Sequence, residues 1–199
     1  MNSLLNSAQE IIEILNELPM VISCELYGSL STGKADELSD IDIFIDVSGY
    51  DNGKFMLEVV DLLKNKLNII YSDYAPSLIP NSYIVSIAID ENNPFKIADL
   101  NCIAAPHCET VTKSMIENNL LSHTIKVWVA NLKHFVRGED CQDDIMRMAR
   151  RLNGVQVEGL SEPEILEECL TWIENNSHLD LGLCEMIASC RRCFEELIG

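Results

Sequence analysis

Acidic and aliphatic residues alternate in the segment from Asp40 to Asp46, which reads DIDIFID. Side chains on a β-strand point alternately to opposite faces, so the acidic residues are expected to share one face and the isoleucines the other. Carboxylates this close repel each other unless a cation lies between them. Mg²⁺ is usually held by one or two carboxylates together with substrate phosphates. The pattern therefore predicts that Asp40 and Asp42 bind a divalent metal ion; Asp46 lies further along the strand and is left out of the site.

A glycine-serine pair, Gly28 and Ser29, stands upstream at the end of a predicted strand. Glycine lets a backbone approach a ligand closely, and the N-terminus of the helix expected to follow offers N–H groups to phosphate. A glycine-serine pair alone is a common turn, and two aspartates at a strand edge are more often simply solvated. The two features together are much more specific for a nucleotide site than either one.

The combination resembles the signature of the polymerase-beta-like nucleotidyltransferase superfamily. That signature is a hydrophobic residue, Gly-Ser, a variable spacer, and then Asp-hydrophobic-Asp. In this chain the positions are held by Tyr27, Gly28, Ser29, Asp40, Ile41 and Asp42. Among the branches of the superfamily, the chain is most like the lincosamide and aminoglycoside nucleotidyltransferases in its layout.

The resemblance implies a fold and a division of the chain. The expected class is α/β (α+β), with a mixed sheet and flanking helices followed by a C-terminal helical bundle. Residues 1–108 would form the catalytic domain and residues 109–199 the helical domain, because the pattern changes from mixed strands and helices to helices alone. Many members of the family build the acceptor site between two subunits, so a homodimer is also implied.

The resemblance further implies the groups that carry the chemistry. A third carboxylate, Asp99, lies on a later predicted strand between hydrophobic residues and would act as a metal ligand or as the general base. Two Mg²⁺ ions would be the cofactors, bound by Asp40, Asp42 and Asp99, with ATP or another nucleoside triphosphate as the co-substrate.

The triphosphate is expected to bind Gly28 and Ser29. Many relatives carry Arg or Lys within two or three residues after this pair, whereas the first basic residue here is Lys34. The positive charge is therefore expected from Lys34 or from a basic stripe that includes Lys126 and Lys133 on a long predicted helix. The alternative for that stripe is that it balances nearby acidic residues on a solvated face.

The formal net charge of the chain is −18. Affinity for nucleic acid comes largely from Lys and Arg, so this charge predicts that nucleic acid is not a partner. An acidic surface would instead attract a cationic acceptor such as an aminoglycoside, or it would simply keep the protein soluble.

The predicted function is Mg²⁺-dependent transfer of a nucleoside monophosphate, AMP from ATP, to a hydroxyl of a small molecule, with release of pyrophosphate. The acceptor would be an aminoglycoside or lincosamide antibiotic, which would make the enzyme a resistance factor. The alternatives are a non-catalytic nucleotide-binding or antitoxin-like regulatory protein, and an enzyme that attaches AMP to a protein.

Three further expectations concern the chain as a whole. Helical spacing predicts a first helix over residues 3–18, and a short strand is expected near residues 68–72. The eight cysteines are expected to be mostly small buried hydrophobes, because the CxxC from Cys190 to Cys193 has no second pair at zinc spacing. No long apolar run and no signal-like leader is visible, so a cytoplasmic protein without a membrane span is expected.

Overall fold

The computed structural model describes residues 2–75, 82–103, 116, 118–177 and 181–199. The chain divides into two compact units. The first comprises residues 1–90 and 95–118, and the second comprises residues 91–94 and 119–199. The predicted boundary at 108/109 lies outside the described residues, so the division into 1–108 and 109–199 stays a prediction.

A five-stranded sheet forms the centre of the first unit, in the order β1-β2-β5-β4-β3. The strands are β1 (Ser23–Tyr27), β2 (Ile41–Asp46), β3 (Tyr71–Ala75), β4 (Ser82–Ala88) and β5 (Ile97–Ile103). The β2–β5 pair is parallel and the other three pairs are antiparallel. The mixed sheet confirms the predicted fold class. The strand expected near 68–72 begins later, at Tyr71, where the chain pairs with β4.

Three helices accompany this sheet: α1 (Asn2–Asn16), α2 (Gly28–Ser31) and α3 (Asn52–Lys64). Apolar residues of α1 and α3 form one core cluster with the apolar face of the sheet. On β2, Ile41, Ile43 and Ile45 are fully buried in that cluster, whereas the alternate residues are half-buried. The strand therefore divides as its alternation predicts, with the aspartates on the opposite face from the core.

Four helices make up the described part of the second unit: α4 (Leu120–Val136), α5 (Gln142–Ala149), α6 (Glu162–Asn176) and α7 (Leu181–Ile198). The indole of Trp128 is fully buried and donates a hydrogen bond to the carbonyl oxygen of Leu166 at 2.8 Å. A capping box formed by Ser161 and Glu164 begins α6 and satisfies backbone N–H groups that have no partner inside the helix. These helices form the C-terminal bundle that the sequence predicts.

The cysteines behave mainly as hydrophobic residues. All seven that the structure describes are free thiols. Burial raises the pKa of Cys24 to about 11 and that of Cys102 to about 12. Burial also raises the pKa of Cys190, the first residue of the CxxC, which keeps its sulfur protonated and makes it a poor metal ligand.

Across the ranges that the structure describes, no helix combines the length and the hydrophobicity that crossing a lipid bilayer requires.

Replacement of a buried isoleucine in β2 is expected to destabilise the first unit. Ile43→Ala removes a fully buried side chain from the core cluster, and such changes cost about 2–5 kcal/mol. The measurement is urea unfolding followed by far-UV circular dichroism. Leu57→Ala is the matched control, because that side chain on α3 is 48% exposed and should change stability little. Equal effects of the two variants would contradict the assignment of the core to this face of the sheet.

Candidate active site

The register between β2 and β5 places two of the predicted carboxylates side by side. Asp42 is the direct partner of Asp99 in this parallel pair. Neighbouring strands lie about 4.8 Å apart, and directly paired residues point to the same face of the sheet. Both side chains are half-buried, on the face opposite the core. The structure thus brings together two residues that are far apart in the chain.

Asp40 lies just before β2, after a polar turn that fixes its position. The hydroxyl of Ser39 is buried and donates a hydrogen bond to Oδ1 of Asp36 at 2.7 Å. The backbone N–H of Asp36 donates in return to Oγ of Ser39 at 2.9 Å. This reciprocal pair holds the backbone at the entry to the strand, so Asp40 approaches the site from a defined direction.

Tyr27 lies close enough to Asp42, Asp99 and Asp40 to be influenced by the charge of all three. It is the partner of Asp42 in the β1–β2 pair, and its side chain is 36% exposed. Burial is the main cause that raises the pKa of its hydroxyl. The negative charges of Asp42, Asp99 and Asp40 raise the same pKa further. The hydroxyl therefore stays protonated at neutral pH and is available as a donor beside the three acids.

Gly28 is fitted against the carboxylate of Asp42. Its φ is +71°, a conformation that L side chains rarely adopt. A Cβ atom at this position would lie 2.0 Å from Oδ2 of Asp42. Only glycine leaves room for this carboxylate at the start of α2. The Gly-Ser motif and the Asp-x-Asp motif predicted from the sequence are therefore in direct contact through Gly28 and Asp42.

Ser29 and Lys34 close the turn that follows. The backbone N–H of Lys34 donates to the carbonyl oxygen of Ser29 at 3.0 Å. Within the described ranges, the hydroxyl of Ser29 makes no hydrogen bond and the ammonium of Lys34 has no ion pair. Both groups can therefore bind an external oxygen ligand.

Two serines on β4 support the polar residues of β5, and sequence reasoning missed them. The hydroxyl of Ser86 donates to Oδ1 of Asp99, and the hydroxyl of Ser82 donates to Oδ1 of Asn101 at 2.6 Å. Both serines are fully buried. Their separation of four positions in the otherwise apolar strand SYIVSIA places them on one face, a signal that the sequence contains.

Asn101 joins this support to Tyr27. Its side chain makes a hydrogen bond with the tyrosine hydroxyl that lowers the pKa of that hydroxyl. Because Ser82 donates to the amide oxygen of Asn101, the amide nitrogen is left for Tyr27. A hydrogen-bonded row thus runs from the buried strand β4 to the exposed edge of the site.

The donor set fits a hard divalent cation. All the candidate ligand atoms are oxygens, and the missing side chain of Gly28 leaves the space that the Asp42 carboxylate occupies. Among the described residues, no three His, Cys, Asp or Glu side chains are already arranged as a complete metal-binding group. Mg²⁺ does not require one, since it keeps several waters and needs only one or two carboxylates in addition to substrate phosphates. Asp42 beside Asp99, with Asp40 nearby, meets that requirement.

Asp46 is engaged elsewhere. Its Oδ1 accepts hydrogen bonds from the backbone N–H and the hydroxyl of Ser48, at 2.8 and 2.6 Å. The carboxylate therefore stabilises the turn after β2, which agrees with its omission from the predicted metal site.

The two lysines of the predicted basic stripe lie in the second unit. Lys126 and Lys133 are both on α4, and both are half-buried. Lys126 lines a groove that also includes residues of α5. Their assignment to the triphosphate stays a prediction.

A comparison with protein families gives one match on this unit. Residues 9–86 match the family described as "Polymerase beta, Nucleotidyltransferase". These residues contain the Gly-Ser pair, Asp40 and Asp42. This part of the first unit is thus similar to nucleotidyltransferases of the polymerase beta type. The match does not extend to the helices of the second unit, and it does not single out the antibiotic nucleotidyltransferases. No curated protein sequence matches the chain.

Comparison with solved structures gives distant neighbours of the chain. The "structure of GLD-2/RNP-8 complex" is 13% identical with a TM-score of 0.40, over 89% of this chain and 80% of that chain. The "polymerase core of TRAMP, a RNA surveillance complex" is 17% identical with a TM-score of 0.41, over 98% of this chain and 57% of that chain. The "Cid1 poly(U) polymerase" is 15% identical with a TM-score of 0.35, over 80% of this chain and 44% of that chain. The chain thus spans about half the length of the last two proteins.

The prediction that nucleic acid is excluded as a partner is wrong. The structures that the chain resembles bear the names of a poly(U) polymerase, a non-canonical poly(A) polymerase complex and the polymerase core of an RNA surveillance complex. The physical error lies in using net charge. Salt screens exposed charges beyond about 8 Å at physiological ionic strength, so the local arrangement of Lys and Arg decides whether a phosphate backbone can bind.

Replacement of Gly28 is expected to disrupt the domain around Asp42. Gly28→Ala introduces a Cβ that overlaps the Asp42 carboxylate and forces a left-handed backbone on alanine. Gly33→Ala is the matched control, because Gly33 has φ +69° and a Cβ added there would meet nothing within 4 Å. The control should lose about 1–2 kcal/mol of unfolding free energy from the backbone alone. Gly28→Ala should lose more unfolding free energy in urea and should release no pyrophosphate from ATP. Equal losses of unfolding free energy in the two variants would contradict a steric conflict between residue 28 and Asp42.

Removal of the Ser86 hydroxyl is expected to free the Asp99 carboxylate from the hydrogen bond that orients it. Ser86→Ala should lower the rate of pyrophosphate release about 10- to 100-fold and raise the Mg²⁺ concentration for half-maximal rate, as loss of an outer partner of a metal ligand does. Ser82→Ala removes an equally buried hydroxyl that holds Asn101 instead, and should leave the Mg²⁺ dependence unchanged. A Mg²⁺ dependence that shifts equally in both variants would show that burial, not the bond to Asp99, is responsible.

Proposed function

We propose that the chain transfers a nucleoside monophosphate, AMP from ATP, to a hydroxyl group and releases pyrophosphate. The observation that carries this proposal is the direct pairing of Asp42 with Asp99, next to the glycine whose missing side chain makes room for Asp42. The family match over residues 9–86 supports the reaction class. The finer features, Mg²⁺ dependence and ATP as the donor, are part of the proposal.

The residues divide the work as follows. Asp40 and Asp42 would hold Mg²⁺, which when bound supplies positive charge to the phosphates and to the acceptor oxygen. Asp99 accepts the proton of the attacking hydroxyl or serves as a further ligand, with one carboxylate oxygen held by Ser86. The acceptor oxygen forms a bond to the α-phosphorus, and the bond from that phosphorus to the bridging oxygen of pyrophosphate breaks.

The remaining groups bind the phosphates. The backbone at Gly28 lies close enough to Asp42 to bring a phosphate beside the carboxylates. The hydroxyl of Ser29 and the ammonium of Lys34 supply a donor and a positive charge from the same turn. The protonated hydroxyl of Tyr27 is a further donor at the exposed edge of the site.

Two classes of acceptor are proposed, and each has its own support. The net charge of −18 favours a cationic small molecule such as an aminoglycoside, and a lincosamide belongs to the same class of hydroxylated small molecules. The names of the neighbouring structures and a local basic groove on the second unit favour the terminal hydroxyl of a nucleic acid. Attachment of AMP to a protein would use the same three carboxylates.

The decisive variant is Asp42→Asn, which removes one negative charge with little change in shape. Pyrophosphate release from ATP and Mg²⁺ should fall by more than about 100-fold, since even outer partners of metal ligands change activity 10- to 100-fold. Asp46→Asn is the matched control on the same face of β2, because its carboxylate is occupied by Ser48. The control should retain its activity, and both variants should keep the far-UV spectrum of the parent.

The acceptors in this assay are aminoglycosides, lincosamides, a short single-stranded RNA and a protein lysate, each with radiolabelled ATP. Label on one class identifies the acceptor. A folded Asp42→Asn variant with the activity of the parent would overturn the site assignment. ATP binding without pyrophosphate release with every acceptor would contradict the proposed enzymatic function and favour a nucleotide-binding regulatory protein.

A further inference from the structure

The second unit carries a groove lined by basic side chains, formed by α4 and α5. One cavity of about 270 Å³ is bounded by residues of both helices, including Lys126, Arg147 and Arg151. A second cavity of about 640 Å³ is bounded by Arg147, Arg150 and Arg151 together with other residues of α5 and its end. The two cavities share Arg147 and Arg151, so together they form one continuous surface, which we call the basic groove.

Three of these cations have no acidic partner. Within the described part of the chain, Lys126, Arg150 and Arg151 make no ion pair and no side-chain hydrogen bond. The chain has 32 acidic residues and only 14 Lys and Arg, so most cations in it would be expected to meet a carboxylate. Three that do not are gathered in the same groove, where they create a local positive potential.

The charges that oppose this potential are few. Arg147 is paired with Asp144 at 3.0 Å, with both side chains more than half exposed, so the pair is weak and open to exchange. Asp143 is the other acidic residue on the wall of the groove. Four permanent cations therefore face two carboxylates, in a protein whose remaining surface is strongly acidic.

The arginines of the groove and their spacing favour a ligand with several phosphate groups. Arginine presents a planar fork of donors that matches phosphate oxygens, and three arginines lie along α5 and its C-terminal end. They are spread over two adjoining cavities rather than directed at one point, which suits successive phosphates better than a single anion. Among the residues that the structure describes, no Phe, Tyr or Trp lines either cavity, so aromatic stacking would not distinguish the bases.

We propose that the basic groove binds the phosphodiester backbone of a single-stranded nucleic acid, without reading its sequence. Glu139, which is paired with His134 on the groove wall, limits the affinity, whereas carboxylates farther than about 8 Å from the groove are largely screened at physiological salt. The binding site is inferred from the groove alone. Its use to hold an acceptor strand rests on the proposed nucleotidyl transfer.

The test measures binding of a fluorescein-labelled 15-nucleotide RNA to the whole chain by fluorescence anisotropy, without ATP. The variant is the triple change Lys126→Gln, Arg150→Gln, Arg151→Gln. The matched control is Lys54→Gln, Lys64→Gln, Lys66→Gln, which changes the net charge equally and replaces exposed lysines of the first unit that are paired with acids. Circular dichroism checks that both proteins are folded.

Three phosphate contacts give a salt slope of about −2, so the affinity of the parent should fall roughly 16-fold between 50 and 200 mM NaCl from these contacts. The groove variant should lose that part of the salt dependence and bind weakly at 50 mM, while the control binds like the parent. DNA of the same sequence should bind comparably, because only the backbone is contacted.

Two results would overturn the inference. Equal weakening in both triple variants would show a general effect of net charge. Displacement of the RNA by ATP at concentrations that saturate the groove would make the ligand a nucleoside triphosphate. Because the binding test contains no ATP, its outcome does not depend on the proposed nucleotidyl transfer.

Discussion

The parallel pairing of β2 with β5 is the constraint on which the site depends. It sets Asp42 directly opposite Asp99, and a shift of one residue would turn one of the two side chains into the core. The buried isoleucines of β2 prevent such a shift, because they would have to leave the core cluster. Burial of the apolar face thus fixes the position of the acidic face, and Gly28 then supplies the room that the Asp42 carboxylate needs.

The site includes residues on both sides of the two paired carboxylates, from the exposed strand β1 to the buried strand β4. One row of directly paired residues crosses four strands, from Tyr27 on β1 through Asp42 and Asp99 to Ser86 on β4. The row is exposed at the tyrosine and fully buried at the serine. A buried hydroxyl that donates to a carboxylate restricts the orientation of that carboxylate, so the reactive edge is held from behind by the core strand.

In this protein the local arrangement of charged side chains indicates what a surface can bind, whereas the net charge of the chain does not. The chain is strongly acidic as a whole, yet three cations without an ion pair, Lys126, Arg150 and Arg151, lie in one groove of the second unit. The acidic total led to the exclusion of nucleic acid, which the comparisons contradict. Screening over a distance shorter than the protein explains the discrepancy, since distant carboxylates contribute little to the potential inside a groove.

Local pattern in the sequence determined the elements and the motif: the alternation in β2, the helical spacing of α1 and the Gly-Ser pair with Asp40 and Asp42. These features depend on neighbours in the chain, where spacing alone sets which face a residue occupies. The late start of β3 at Tyr71, the hydroxyl of Ser86 on Asp99 and the union of Lys126 with Arg151 in one groove were decided by the tertiary structure. Each depends on a partner distant in sequence, and strand register and helix packing are set by burial across the whole unit.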